Sequence, residues 1–277
     1  MKNILLIIVS IALLTACEKT IDLDLEQSES KIVIEGLVTN HTGYQYVRVT
    51  RTAGFYDDGA TPRVTNANVS VKDDTGNEFL FIHNPGNEED SAGYYLPDVS
   101  FNGEIGRTYT LTVEVDGEIY TAQDKLFATS GIDSLGYQIN PDEEEDPKED
   151  TKFYEALLYM TEPQDEENYY LFKFFRNDSL KVYNDNDIYF ADDKILGETI
   201  EGLGSPVYYA LNDTARIEMY SISRAGYIYY LDLQSLMNND GGLFSQPPSN
   251  SRNNLSNGAL GFFQASAVDV KTILIEE

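Results

Sequence analysis

The sequence contains no tryptophan, one cysteine and two histidines, and it has few basic residues. A single cysteine excludes an intrachain disulfide framework and a cysteine-rich zinc site. The 19 Lys and Arg residues face 47 Asp and Glu residues, which gives a formal net charge of −28. No nucleic acid partner is expected, because affinity for nucleic acid rests on cationic side chains that meet phosphate. At 42% hydrophobic and 12% aromatic residues, the chain is too apolar for a disordered acidic polymer.

Motifs that would identify a reaction are also missing from the sequence. Neither His41 nor His83 has a second histidine or a cysteine near it, so neither forms a recognisable zinc or triad motif. Glycine-rich phosphate-binding loops are absent. With 47 acidic residues, spacing alone cannot nominate a catalytic carboxylate pair. We therefore predict a protein that is not an enzyme and has no cofactor, and a carboxylate-dependent hydrolase stays the third-ranked alternative.

One acidic stretch has the alternating oxygen ligands that suit calcium. Residues 184–193 include Asp185, Asp187, Asp192 and Asp193. The stretch lacks the glycine and the distal glutamate of an EF-hand loop, so a polar hairpin tip is the preferred interpretation. We predict no metal site, with these four aspartates as the calcium alternative.

The N-terminus carries the most specific signal. Lys2 precedes an apolar run over residues 4–14 that only Ser10 interrupts. The run is too short for a membrane span, which needs about 20 residues, so residues 1–16 are predicted to be a secretory signal. Thr15 and Ala16 before Cys17 resemble the lipobox of bacterial lipoproteins, in which the cysteine is acylated and the chain is cleaved before it. The alternative is an ordinary signal peptide with a chance cysteine.

An acidic tether is predicted over residues 17–30, directly after the acylated cysteine. Several acyl chains on Cys17, palmitate among them, would hold the protein at a membrane. Acidic residues at this place resemble an export signal of Bacteroidota lipoproteins, which favours surface display over the periplasmic leaflet.

The next part of the chain, residues 31–130, shows strand patterns. Tyr109, Leu111 and Val113 alternate with threonines, and the turn Asp116-Gly117 follows. Both turn positions favour positive φ, and the two-residue loop pairs Val113 with Tyr120 and Leu111 with Ala122. Several short strands with turn signals between them predict an immunoglobulin-like β-sandwich.

Residues 131–277 are predicted to form a β-rich second domain. Its strands include residues 169–176, 188–191, 207–211, 215–222 and 265–274, and residues 141–150 form a proline-flanked acidic loop. Apolar residues at helical spacing predict one helix near 223–237, with Ser221 or Ser223 as its cap. The fold class is therefore mainly β with one short helix.

Several segments together resemble a family of Bacteroidota lipoproteins catalogued as domain of unknown function 4249. They are residues 17–24, 31–36, 106–117, 132–135, 244–248 and 257–263. The resemblance implies an immunoglobulin-like sandwich followed by a β-rich domain. It also implies a gene neighbourhood that often includes TonB-dependent outer-membrane receptors, and it carries over no catalytic residue.

These observations lead to a functional expectation. The chain is expected to be a non-enzymatic, lipid-anchored and surface-exposed outer-membrane protein. Its role would be that of an accessory or ligand-capture subunit of a TonB-dependent transporter. The alternative is a surface adhesin or glycan-binding module that has no transporter partner.

Overall fold

The computed structural model describes residues 30–54, 61–84, 86, 91–140, 153–239 and 250–276. Several predicted features lie outside these residues. They are the signal peptide 1–16, Cys17 with nearly all of the tether, the acidic loop 141–150 and the segment 244–248. In the part of the chain that is described, no helix is both long and apolar enough to span a membrane.

The described residues form a mainly β structure, as predicted. An eight-stranded sheet has the spatial order β15-β1-β2-β5-β4-β3-β6-β7. Its strands are β1 (Ile32–Thr39), β2 (Tyr46–Arg51), β3 (Asn68–Asp73), β4 (Glu78–His83), β5 (Tyr94–Pro97), β6 (Thr108–Val115), β7 (Glu118–Lys125) and β15 (Leu260–Ser266). The finer immunoglobulin-like description is not confirmed, because β1 to β7 all belong to this one sheet.

The hairpin of β6 and β7 confirms the register that the sequence predicts. Val113 pairs with Tyr120, and Leu111 pairs with Ala122. Asp116 and Gly117 have φ values of 55° and 83°, which the two-residue turn requires. Leu111 and Val113 are fully buried, so the apolar face of the hairpin points into the core.

The end strands of the large sheet approach each other and nearly close it into a barrel. A closing segment, defined as residues 253–257, lies between β7 and β15. Leu255 forms a bridge with Ala122, and the Asn254 amide donates hydrogen bonds to the carbonyls of Gln123 (3.0 Å) and Phe263 (2.7 Å). These contacts cover part of both edges, which reduces the usual weakness of exposed edge strands.

In the large sheet, the first and the last strand in chain order, β1 and β15, pair in parallel. All seven residues from Val33 to Thr39 have partners between Leu260 and Ser266. Strand β15 therefore crosses the predicted division between 31–130 and 131–277, because a strand from the C-terminal part completes the N-terminal sheet. That division as a statement about domains stays a prediction.

Two smaller sheets contain the remaining strands. A three-stranded sheet has the order β13-β9-β8, and a five-stranded sheet has the order β11-β10-β14-β16 with β12 paired to β10. Their strands are β8 (Ser134–Ile139), β9 (Tyr154–Thr161), β10 (Tyr169–Arg176), β11 (Ser179–Lys181), β12 (Tyr189–Asp192), β13 (Thr199–Tyr209), β14 (Thr214–Ser221) and β16 (Val268–Leu274). Apolar side chains of both sheets, such as Met160 and Ile217, form a second core.

The region predicted as one strand over 265–274 is two strands that belong to different sheets. Strand β15 ends at Ser266 and β16 begins at Val268, so only Ala267 separates them. The carbonyl of Ala267, which is completely buried, accepts a hydrogen bond from the Ser221 amide at 2.9 Å. A single buried residue thus connects the large sheet to the five-stranded sheet.

Two helices complete the described structure: α1 (Asp193–Leu196) and α2 (Arg224–Met237). Helix α2 confirms the predicted helix near 223–237. The Ser223 hydroxyl accepts a hydrogen bond from the Gly226 amide, so Ser223 rather than Ser221 is the cap. The helix ends at Asn238, and the stop signal predicted at residues 240–242 lies outside the described residues.

Candidate functional site

The structure places the four aspartates of the calcium alternative at separate positions. Asp187 closes a turn, because its Oδ2 accepts hydrogen bonds from the Asn184 amide nitrogen (2.9 Å) and side chain (3.1 Å). Asp192 ends β12, and Asp193 begins α1. Among the described residues, no group of three or more His, Cys, Asp or Glu side chains is arranged to hold a metal ion.

The two histidines have hydrogen-bonding roles within the fold. His83 lies at the end of β4, and its Nε2 accepts a hydrogen bond from the Gly93 amide at 3.0 Å. The backbone amide of His41 donates to the Thr39 hydroxyl at 3.1 Å. These contacts assign neither residue to a reactive site.

A cavity lies between the two small sheets, and we call it the inter-sheet pocket. It has a volume of about 590 Å³ and is lined by residues of β9, β10, β12, β13 and α1. Irregularities in β13 produce its mouth. The register of β13 against β9 shifts between Glu201 and Leu203 and again between Gly204 and Tyr208, so β13 has more residues than the strand it faces. Such bulges bend a strand and interrupt its ladder.

Sequence composition explains the second irregularity in β13. Pro206 has no amide hydrogen to donate to a ladder, and it lines the pocket. The Ser205 hydroxyl replaces part of the lost ladder, because it accepts from the Ala156 amide (3.1 Å) and donates to the Val207 carbonyl (2.8 Å). The bulged conformation is therefore built into the fold and leaves the pocket open.

Aromatic side chains dominate the opposite wall of the inter-sheet pocket. They are Phe172 and Phe174 of β10 and Tyr189 of β12, whereas the Phe190 ring lies on the other face of β12 and packs against Tyr227 and Tyr230 of α2. The rings of Phe174 and Tyr189 meet edge to face, with centroids 5.2 Å apart. The Tyr189 hydroxyl accepts a hydrogen bond from the Tyr183 amide at 2.8 Å, and burial raises its pKa. The wall is thus held by ring packing and a backbone contact before any ligand arrives.

The polar groups at the inter-sheet pocket are acidic. Glu201 lines the mouth and is exposed. No Lys or Arg is among the described residues that line the pocket. Lys194 of α1 instead lies 3.8 Å from Glu167. The site can accept apolar groups, and it offers no positive charge to an anion.

A buried polar cluster joins the large sheet to the five-stranded sheet. Glu218 of β14 is 3% exposed and accepts hydrogen bonds from the hydroxyls of Tyr220 (2.6 Å) and Tyr44 (3.1 Å), and Arg216 contacts the same carboxylate. Burial and the Glu218 charge raise the pKa of Tyr220. Burial lowers the pKa of Lys173, whose ammonium lies 4.8 Å from the centroid of the Tyr220 ring. The sequence signal that could have indicated this cluster is the pair of opposite charges, Arg216 and Glu218, in the middle of one strand.

A second buried carboxylate, Asp124, lies where β7, β15 and α2 meet. Its Oδ2 accepts a hydrogen bond from the Ala265 amide at 2.9 Å. Burial raises the pKa of Asp124 to about 6, and hydrogen bonds from the Ala265 amide and the Ser223 hydroxyl lower it only in part. Asp124 therefore changes its charge near neutral pH inside the fold.

Adjacent tyrosines on strands, at 94–95, 169–170 and 208–209, have one ring in the core and one nearer the surface. Tyr95, Tyr170 and Tyr209 are no more than 1% exposed. Tyr94 is half-buried, and the Arg48 guanidinium lies 5.5 Å from its ring centroid. Doublets on strands therefore serve mainly packing, as the alternation of side chains along a strand requires.

Comparison with known proteins gives a family and no relative of established activity. The chain matches no curated protein. The family model described as "Domain of unknown function (DUF4249)" matches residues 18–272, which is nearly the whole chain. The match begins directly after Cys17 and includes both small sheets except the last residues of β16. The chain therefore belongs to the DUF4249 family.

Proposed function

We propose that this protein is a lipid-anchored outer-membrane protein that captures an apolar ligand and serves as an accessory subunit of a TonB-dependent transporter. The inter-sheet pocket is the observation that carries the proposal. Its volume of about 590 Å³ lies within the range of small-molecule sites. Its mainly apolar lining with a few polar groups at the mouth is typical of such sites.

The lipobox resemblance at Cys17 supports the anchor in this proposal. Acyl chains would keep the protein at the membrane despite its net charge of −28, which repels anionic lipid surfaces. The acidic residues after Cys17 support display at the cell surface. The proposal assigns no catalytic residue and no cofactor.

The adhesin or glycan-binding alternative receives less support from the pocket. Sugars are bound through many directional hydrogen bonds, whereas the wall of the inter-sheet pocket consists mainly of Phe172, Phe174 and other apolar side chains. The aromatic wall is buried between two sheets and is not an open platform.

Affinity purification of the complete tagged protein tests the transporter role. The protein would be extracted from outer membranes in mild detergent, and the co-purifying proteins would be quantified. We expect a barrel protein in near-stoichiometric amount. Recovery of the protein without any barrel protein would contradict the accessory role, and glycan arrays would then test the alternative.

Palmitate labelling tests the anchor separately. Cys17→Ala removes the thiol that is acylated, so we expect complete loss of labelling and of membrane retention. Ser10→Ala, in the same apolar run, is the matched control and is expected to keep both. Unchanged labelling of Cys17→Ala would show that the lipobox interpretation is wrong.

A further inference from the structure

We infer that the inter-sheet pocket selects neutral and cationic apolar molecules and disfavours those with a carboxylate or a phosphate. The inference rests on the proposed function, since it concerns the ligand class of the same pocket.

The walls of the pocket set the apolar requirement. Phe172, Phe174 and Tyr189 offer ring surfaces, and Leu158, Leu196 and Ile200 offer aliphatic ones. The binding free energy of a ligand that fills this space comes mainly from the removal of apolar surface from water. Ligands with hydrocarbon chains or rings are therefore favoured over polar ones. The pocket's volume of about 590 Å³ leaves ample room for a dodecyl chain or a fused ring system.

The acidic residues around the mouth favour a neutral or cationic ligand over an anionic one. Glu201 lies on the mouth itself. The Tyr189 hydroxyl lies 3.4 Å from the Asp187 carboxylate. An anionic head group would meet these acids with no cation among the described lining residues to offset them.

The backbone of β13 supplies the polar complement for a neutral ligand. Gly202 has no register partner on β9, because the register passes from Glu201 directly to Leu203. A bulged residue leaves its peptide group without a ladder neighbour. A hydroxyl or amide of a neutral ligand can pair with this peptide group, and an ammonium ligand can approach Glu201.

The absence of tryptophan from the sequence allows a specific test. Tyr189→Trp places the only indole of the chain in the pocket wall, beside Phe174. Leu80→Trp is the matched control, because Leu80 lies on β4 of the large sheet and is 60% exposed. The complete acylated proteins would be held in lipid nanodiscs. Fluorescence quenching would be titrated with three probes whose terminal bromine quenches indole on contact: bromododecanol, bromododecyltrimethylammonium and bromododecanoate.

We expect saturable quenching of the Tyr189→Trp protein by the neutral and the cationic probe. The cationic probe should bind about tenfold more tightly than the anionic one, since an exposed charge contact changes affinity by about fivefold or less and the two probes differ in the sign of that contact. The Leu80→Trp protein should show only weak, linear quenching. Leu196→Trp is a second reporter in the same pocket, and the two reporters must agree.

The outcomes separate this inference from the proposed function. Equal or tighter binding of bromododecanoate would overturn the ligand class and leave the pocket as a binding site. Absence of saturable quenching by all three probes at both pocket positions would overturn the pocket's role itself. Glu201→Lys should raise the affinity for bromododecanoate about tenfold, and an unchanged affinity would contradict the electrostatic reason.

Discussion

The large sheet and the two small sheets use their strands in different ways. The large sheet brings β7 and β15 together through the closing segment, and its interior holds fully buried side chains such as Leu111 and Val113. The small sheets do not close on each other at the bulged part of β13, and a pocket of about 590 Å³ remains between them. The large sheet therefore has a filled interior, whereas unfilled space remains between the small sheets.

This difference indicates where substitutions should lower the free energy of unfolding most. A closed sheet distributes strain over many hydrogen bonds and a dense core, so a change there has no room to relax. At the mouth of the inter-sheet pocket, exposed side chains such as Leu203 already contact water and can be replaced at lower cost.

Gly261→Ala is expected to have the largest effect, because it attacks the closure of the large sheet. Gly261 has a φ of 101°, and a Cβ there would lie 2.1 Å from the Ile34 carbonyl oxygen. The parallel pair of β1 and β15 must separate to admit it, so we expect a loss of about 4 kcal/mol or more in the free energy of unfolding. Urea denaturation measures it.

Gly258→Ala is the matched control for that substitution. Gly258 also has a positive φ of 68°, but its Cβ would meet nothing within 4 Å. Only the backbone preference is lost, at about 1 kcal/mol. Equal losses for the two variants would mean that the close approach of β1 to Gly261 does not restrict the sheet.

Leucine truncations compare the two regions directly. Leu111 is completely buried in the large sheet, whereas Leu203 at the pocket mouth is 49% exposed. We expect Leu111→Ala to cost about 3 kcal/mol of unfolding free energy, through lost burial and a residual cavity. Leu203→Ala should cost less than about 0.5 kcal/mol. A reversed order in chemical denaturation would refute the contrast.

Asp124→Asn tests how the charge of the buried Asp124 carboxylate affects stability. Asp124 lies where the large sheet meets α2. The folded-state pKa of about 6 lies above the ordinary value of 3.8, so the fold favours the protonated carboxyl. The stability that this preference contributes to the folded state is fully present below pH 3.8. It is lost as the pH rises through about 6. At pH 8 the neutral asparagine should therefore be more stable than the wild type by up to about 3 kcal/mol.

The gain from Asp124→Asn should vanish near pH 4, where both side chains are neutral. Denaturation curves at both pH values check this within one pair of proteins. A gain of the same size at both pH values would show that the carboxylate charge is not its cause.

Ser223→Ala should have a smaller effect than Gly261→Ala, Leu111→Ala or Asp124→Asn. It removes the cap of α2 and one hydrogen bond to Asp124, so we expect a loss of about 1 kcal/mol. Ser223→Asp is the control, since an aspartate can also cap a helix. The control should restore the cap but add a charge beside Asp124. The free energy of unfolding that it restores should therefore be larger at low pH.

The sequence predicts local structure well where neighbours along the chain determine it. The 116–117 hairpin, its register and helix α2 all follow from residues within one segment. The parallel pairing of β1 with β15 does not, since more than 200 residues separate the partners. Strand patterns state that a segment is extended, and they do not state its partner.

The candidate site was beyond prediction for a related reason. The sequence pattern placed a strand at residues 207–211, whereas β13 already begins at Thr199. The run Gly202-Leu203-Gly204-Ser205-Pro206 looks like a loop, yet it is a bulged strand that opens the inter-sheet pocket. Its aromatic wall comes from β10 and β12, which only the folded chain brings opposite this run.

The parallel pair of β1 and β15 has a mechanical consequence. If Cys17 is the anchor, a pull from the membrane enters the described chain at the start of β1. A partner that holds the small sheets pulls in the opposite direction through Ala267, at the end of β15. Parallel strands loaded at opposite ends are sheared, so all seven paired positions resist together instead of opening one by one. If such an anchor and such a partner act on the protein, the pair of β1 and β15 would resist the tension between them.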